Sequence, residues 1–183
     1  ISFRFVNRGM ESVADICKFR NLTELDLSGN LLRAEVTELI KLPFLKKLSI
    51  ASNQIQSMWR LPTTLEYLNI AHNQLAVLDS TICSELQTLK VVDISNNDLK
   101  SLDGVQHLHR LKRLICRGNK IFDLGPLHDL VMMVEIDLQD NPIESSKQIV
   151  HAILNKKEIL IFNLRQTPIA LKTRNAEELF NHG

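Results

Sequence analysis

The sequence predicts an α/β solenoid, in which short parallel strands stack into one sheet and short helices or 3-10 turns return the chain on the other side. Three observations predict it. One motif, L-x-x-L-x-L-x-x-N-x-L, recurs six times, with first positions at 22, 45, 65, 89, 111 and 133. Its centre alternates apolar and polar residues at strand spacing. Its return segments carry apolar residues every three or four positions, the spacing of 3-10 or helical turns. Self-similarity at a 20- to 24-residue period indicates repeats that bury their apolar faces only against one another.

The copies read Leu22, Leu25, Leu27, Asn30, Leu32; Leu45, Leu48, Ile50, Asn53, Ile55; and Leu65, Leu68, Ile70, Asn73, Leu75. They continue with Leu89, Val92, Ile94, Asn97, Leu99; Leu111, Leu114, Cys116, Asn119, Ile121; and Met133, Ile136, Leu138, Asn141, Ile143. The apolar residues of each strand point inward. After the strand the chain turns sharply, and a buried Asn amide can satisfy the turn's backbone donors and acceptors in every repeat. Cys116 reads as a small core residue. Two degenerate units flank the six. Phe3, Phe5 and Met10 fit a leading unit with Arg8 in the Asn slot. Ile159, Phe162, Leu164, Thr167 and Ile169 fit a trailing one with Thr167 in that slot. Atypical end units suit a solenoid, whose terminal faces meet water.

The first return (Leu32, Val36, Leu39, Leu42) suits a short α-helix. The second (Ile55, Met58, Leu61) is shorter and carries Pro62, so an extended or 3-10 path is expected. The fourth (Leu99, Leu102, Val105, Leu108) and fifth (Ile121, Leu124, Leu127, Leu130) have a spacing of three and suit 3-10 turns. After Asn141-Pro142, Ser145 reads as an N-cap for a helix reaching Asn155, with Ile149, Val150, Ile153 and Leu154 inward. These units make one domain over residues 1–170. A tail over 171–183 follows, with Asn175-Ala176-Glu177-Glu178 as a capping start for a terminal helix bearing Leu179 and Phe180.

The six motifs resemble those of the leucine-rich-repeat family over roughly residues 1–170. The 22-residue units are similar to an intracellular subclass that includes the nuclear phosphatase regulator, axonemal dynein light chain and spliceosomal A-prime proteins. Asn141-Pro142-Ile143, the helix at 145–155 and Ile159-Leu160-Ile161-Phe162-Asn163-Leu164 resemble that subclass's C-terminal cap. Leu164-Arg165-Gln166 stands where the cap closes on Leu-Asp-Gly, and the second and third repeats are irregular. The resemblance implies a curved right-handed solenoid, parallel sheet on the concave face, helices and 3-10 turns on the convex face, with protein partners bound on the concave sheet.

Two columns of residues fall on that face between the consensus positions. One runs Glu24, Lys47, Tyr67, Val91, Arg113, Glu135. The other runs Asp26, Ser49, Asn69, Asp93, Ile115, Asp137. A basic group (Lys90, Lys112, Arg113, Arg117) on the fourth and fifth strands borders an acidic group (Glu135, Asp137, Asp140) on the sixth. Tyr67, Val91 and Ile115 add apolar area to a face that could have been wholly polar, and aromatic and Arg side chains are common interface anchors. The candidate protein-binding residues are therefore Lys47, Tyr67, Asn69, Lys90, Val91, Asp93, Lys112, Arg113, Ile115, Arg117, Glu135 and Asp137. The alternative is an ordinary solvated strand surface of mixed sign. The complementary ligand is a peptide or helix with an acidic and an apolar part. Trp59 falls outside the inward rhythm of its return, so it reads either as a second anchor on the convex face or as packing against the Pro62 segment.

Composition excludes several classes. Twenty-two basic and 21 acidic residues leave a net charge of +1, so no global field draws the chain to nucleic acid or anionic membrane. Near-neutral charge and few exposed aromatics count against direct RNA contact. No apolar run reaches the roughly 18 residues of a membrane helix. Cys17, Cys83 and Cys116 are odd in number and widely spaced, which argues for a reducing compartment. Asn21-Leu22-Thr23 is a single glycosylation sequon and begins a repeat. The chain opens on Ile1 and reads as an excised piece of a longer protein. No phosphate-cradling Gly-rich loop, HExxH helix or GxSxG elbow occurs. His107 and His109 have no third ligand in the repeat register, so no metal and no cofactor is expected. The expected function is a non-enzymatic, monomeric interaction module in the cytoplasm or nucleus: an adaptor or scaffold of a cytoskeletal, ciliary or centrosomal protein, or alternatively a regulatory subunit of an enzyme such as a protein phosphatase.

Overall fold

In the computed structural model, which describes residues 1–33 and 36–172, eight strands form one parallel sheet in chain order. They are β1 (Ser2–Arg4), β2 (Glu24–Asp26), β3 (Lys47–Ser49), β4 (Tyr67–Asn69), β5 (Val91–Asp93), β6 (Arg113–Ile115), β7 (Glu135–Asp137) and β8 (Ile161–Asn163). The two degenerate units thus supply the outer strands. Pairing joins Phe3, Leu25, Leu48, Leu68, Val92, Leu114, Ile136 and Phe162 into one column across the sheet. The six internal members of that column are buried. They pack with the apolar residues of the returns into one continuous core.

The asparagine of each motif joins its repeat to the one before. Asn97 shows the pattern. Its Oδ1 accepts the Leu75 N–H at 2.9 Å, and its Nδ2 donates to Ile70 O at 3.1 Å and Ile94 O at 3.0 Å. Asn53, Asn73, Asn119 and Asn141 do the same for Leu32, Ile55, Leu99 and Ile121. Asn30 accepts from Arg8 and Met10, which secures the leading unit. The series ends at Thr167, which has no amide. Its hydroxyl donates to Leu164 O, and the Ile143 N–H falls back on Asn141 O at 2.9 Å. The residue before each slot turns with positive φ: Asn7, Gly29, Ser52, His72, Asn96, Gly118, Asp140 and Gln166. Arg8 and Thr167 therefore occupy the asparagine position of their units in backbone shape as well as in sequence.

The returns are short. Repeats four and five make 3-10 turns at Val105–His107 and Gly125–Leu127, as their spacing of three predicts. The first return forms a 3-10 turn at Thr37–Lys41 in place of the expected α-helix, with Leu39 buried. The third forms an α-helix, α1 (Ser80–Glu85), whose N-cap Asp79 accepts the Thr81 and Ile82 N–H groups. Its sequence signal is Asp79-Ser80-Thr81 in the return of the unit that runs from Leu65 to the next motif at Leu89. Helix α2 (Ser146–Ile153) has the predicted Ser145 cap. Its inward side differs from expectation: Ala152 is buried and Ile149 packs on the core, whereas Val150 and Leu154 are exposed. Lys156 follows the helix. Its buried ammonium donates to Leu127 O at 2.7 Å and so ties the α2 end to the preceding turn. A helical turn occupies 168–172 after Thr167, while the capping start at Asn175 to Glu178 lies outside the described residues.

Trp59 is in the core, 3% exposed, and is not a convex anchor. The second return takes only 20 residues from Leu45 to Leu65, with Pro62 buried. That short path turns the indole in against Ile50, Met58, Leu61 and Ile70. Its Nε1 finds no partner there.

Candidate protein-binding face

Strand pairing turns the predicted columns into physical rows. Ser2, Glu24, Lys47, Tyr67, Val91, Arg113, Glu135 and Ile161 are neighbours in register, as are Arg4, Asp26, Ser49, Asn69, Asp93, Ile115, Asp137 and Asn163. Tyr67, Asn69, Val91, Asp93, Ile115, Glu135 and Asp137 are half-buried; Lys47, Lys90, Lys112, Arg113 and Arg117 are exposed.

Much of the predicted charge is spent within the sheet. Arg113 Nε donates to Glu135 Oε2 at 2.6 Å, Lys47 pairs with Glu24 at 2.7 Å, and Glu66 accepts from Lys90 at 2.6 Å and Lys46 at 3.1 Å. The hydrogen bond and charge of Lys47 hold the Glu24 carboxyl below the usual range, and Lys90 with Lys46 does this for Glu66. The basic and acidic groups are thus partly one neutralised network, and exposed pairs of this kind contribute little stability. Among the described residues Lys112 and Arg117 make no ion pair.

The second row has a structural task. Asp26, Asn69, Asp93, Asp137 and Asn163 each accept the N–H two residues on (Ser28, Ala71, Ser95, Gln139 and Arg165) at 3.0 to 3.1 Å. A short acidic or amide side chain at the strand end closes the turn that follows. Asn69, Asp93 and Asp137 therefore hold the turns, and their Asx chemistry alone is no sign of a partner. Ser49 bonds the Ser28 hydroxyl at 2.7 Å. The Ile115 side chain has no polar atom to offer.

A shallow hollow of about 500 Å³ lies on the sheet face over β1 to β4, lined among others by Arg4, Asp26, Lys47, Ser49, Tyr67 and Asn69. It overlaps the predicted patch at Lys47, Tyr67 and Asn69. The rest, Val91 through Asp137, lies over β5 to β7, outside the lining of that hollow. The carboxylates of this face lie on an open sheet, whereas acid–base chemistry wants an enclosing cleft. Among the described residues no group of three or more His, Cys, Asp or Glu could hold a metal ion. Among them, too, no helix is long and apolar enough to cross a membrane. Cys83 and Cys116 are buried free thiols, and burial pushes Cys83 up to about 11 and Cys116 further in the same direction.

Leucine-rich-repeat models match residues 63–121 and 21–42. The chain belongs to the leucine-rich-repeat family. It is 34% identical over 160 residues to the protein phosphatase 1 regulatory inhibitor subunit PPP1R7 homolog of Arabidopsis thaliana, a match covering 79% of this chain and 48% of that protein. It is 35% identical over 80 residues to human geranylgeranyl transferase type-2 subunit alpha, which covers 42% of the chain and 14% of that subunit. Internalin C2 of Listeria monocytogenes superposes with a TM-score of 0.67 at 22% identity, covering 88% of this chain and 80% of that one, and shows the shared fold. The chain spans less than half the length of these curated relatives. The leucine-rich-repeat chain is a protein-interaction module by family, and its face over β4 to β7 is the candidate site.

Proposed function

We propose that this chain is a non-catalytic module that binds a partner protein on its concave sheet, as a monomeric adaptor or scaffold domain inside the cell. The observation that carries the reading is the patch over β4 to β6. Tyr67, Val91 and Ile115 present apolar area beside Lys112 and Arg117, two cations that make no ion pair among the described residues. Half-buried apolar anchors rimmed by free charge are the pattern of a binding surface. The buried free cysteines suit a reducing cytoplasmic or nuclear setting. A parent protein of the cytoskeleton, cilium or centrosome is the finer form of this reading, supported by the subclass resemblance. The test is affinity capture from the native cell with wild-type chain, a concave variant (Tyr67→Ala, Lys112→Glu, Arg117→Glu) and a convex control (His109→Glu, Arg110→Glu). Partners lost only with the concave variant support the reading; partners lost only with the control refute it.

A second reading, regulation of an enzyme such as a protein phosphatase, is favoured by the 34% identity to a phosphatase 1 regulatory subunit homologue over most of the chain. Excess chain then changes the activity of a purified phosphatase 1 catalytic subunit. Unchanged activity removes this reading and leaves the adaptor.

A further inference from the structure

We draw no further inference here: the strongest candidate, the apolar surface hollow between the end of the fifth return and the segment after α2, where exposed Val131 and Met132 meet Asn155, Lys157 and Glu158, is an unpartnered face, and nothing in the structure shows what covers it.

Discussion

At the scale of single residues, the six motif asparagines act as joints between repeats. Each buried amide satisfies groups from two turns, so its removal strands several at once. Asn97→Ala frees the Leu75 N–H and the Ile70 and Ile94 carbonyls, and a loss of about 3 kcal/mol is expected from denaturant melts. The residue before each slot has the opposite potential. Ser52 sits at φ 53°, where a side chain costs roughly 1–2 kcal/mol, so Ser52→Gly raises stability by about 1 kcal/mol in the same assay. The asparagines were legible because a polar side chain kept at one place in an apolar period must find its partners in the backbone around it. The task of Asp26, Asn69, Asp93, Asp137 and Asn163 was not. An exposed acid that caps a turn and one that awaits a partner are the same letter, and only the N–H two residues on separates them.

At the scale of elements, spacing predicted the returns where it was strict and failed where length or capping decided. The runs of three around Val105 and Leu127 gave 3-10 turns. Around Trp59 the chain is too short to leave the indole outside, and inward rhythm alone could not show that. In α2 Leu154 is exposed, so Leu154→Glu changes stability by less than ~0.5 kcal/mol, whereas an expectation of inward packing demands a large loss. Helix α1 buries Cys83, whose thiol is pushed up from 9.0 to about 11. The folded state favours the neutral thiol. The stability this contributes is complete below pH 9 and is lost as pH rises toward 11. The melting temperature of wild type is therefore expected to fall more steeply over that window than that of Cys83→Ala. Equal slopes show that Cys83 takes no part.

At the scale of the whole molecule, the fold was legible because one period organises the chain, and the end units were legible because they keep the turn while losing the asparagine. The candidate site was legible in outline: both rows fell in register as predicted, but pairing within the sheet neutralised much of the charge that defined it. What remains is a solenoid whose face over β4 to β6 carries Tyr67, Val91 and Ile115 near Lys112 and Arg117, the surface we propose for a partner. The most direct measurement is photo-cross-linking in the native cell, with a photoreactive residue placed at Val91 on the concave face and at His109 on the convex face. The account predicts a discrete cross-linked protein from Val91, absent from His109 and abolished by Lys112→Glu with Arg117→Glu. A partner captured from His109 and not from Val91 contradicts it.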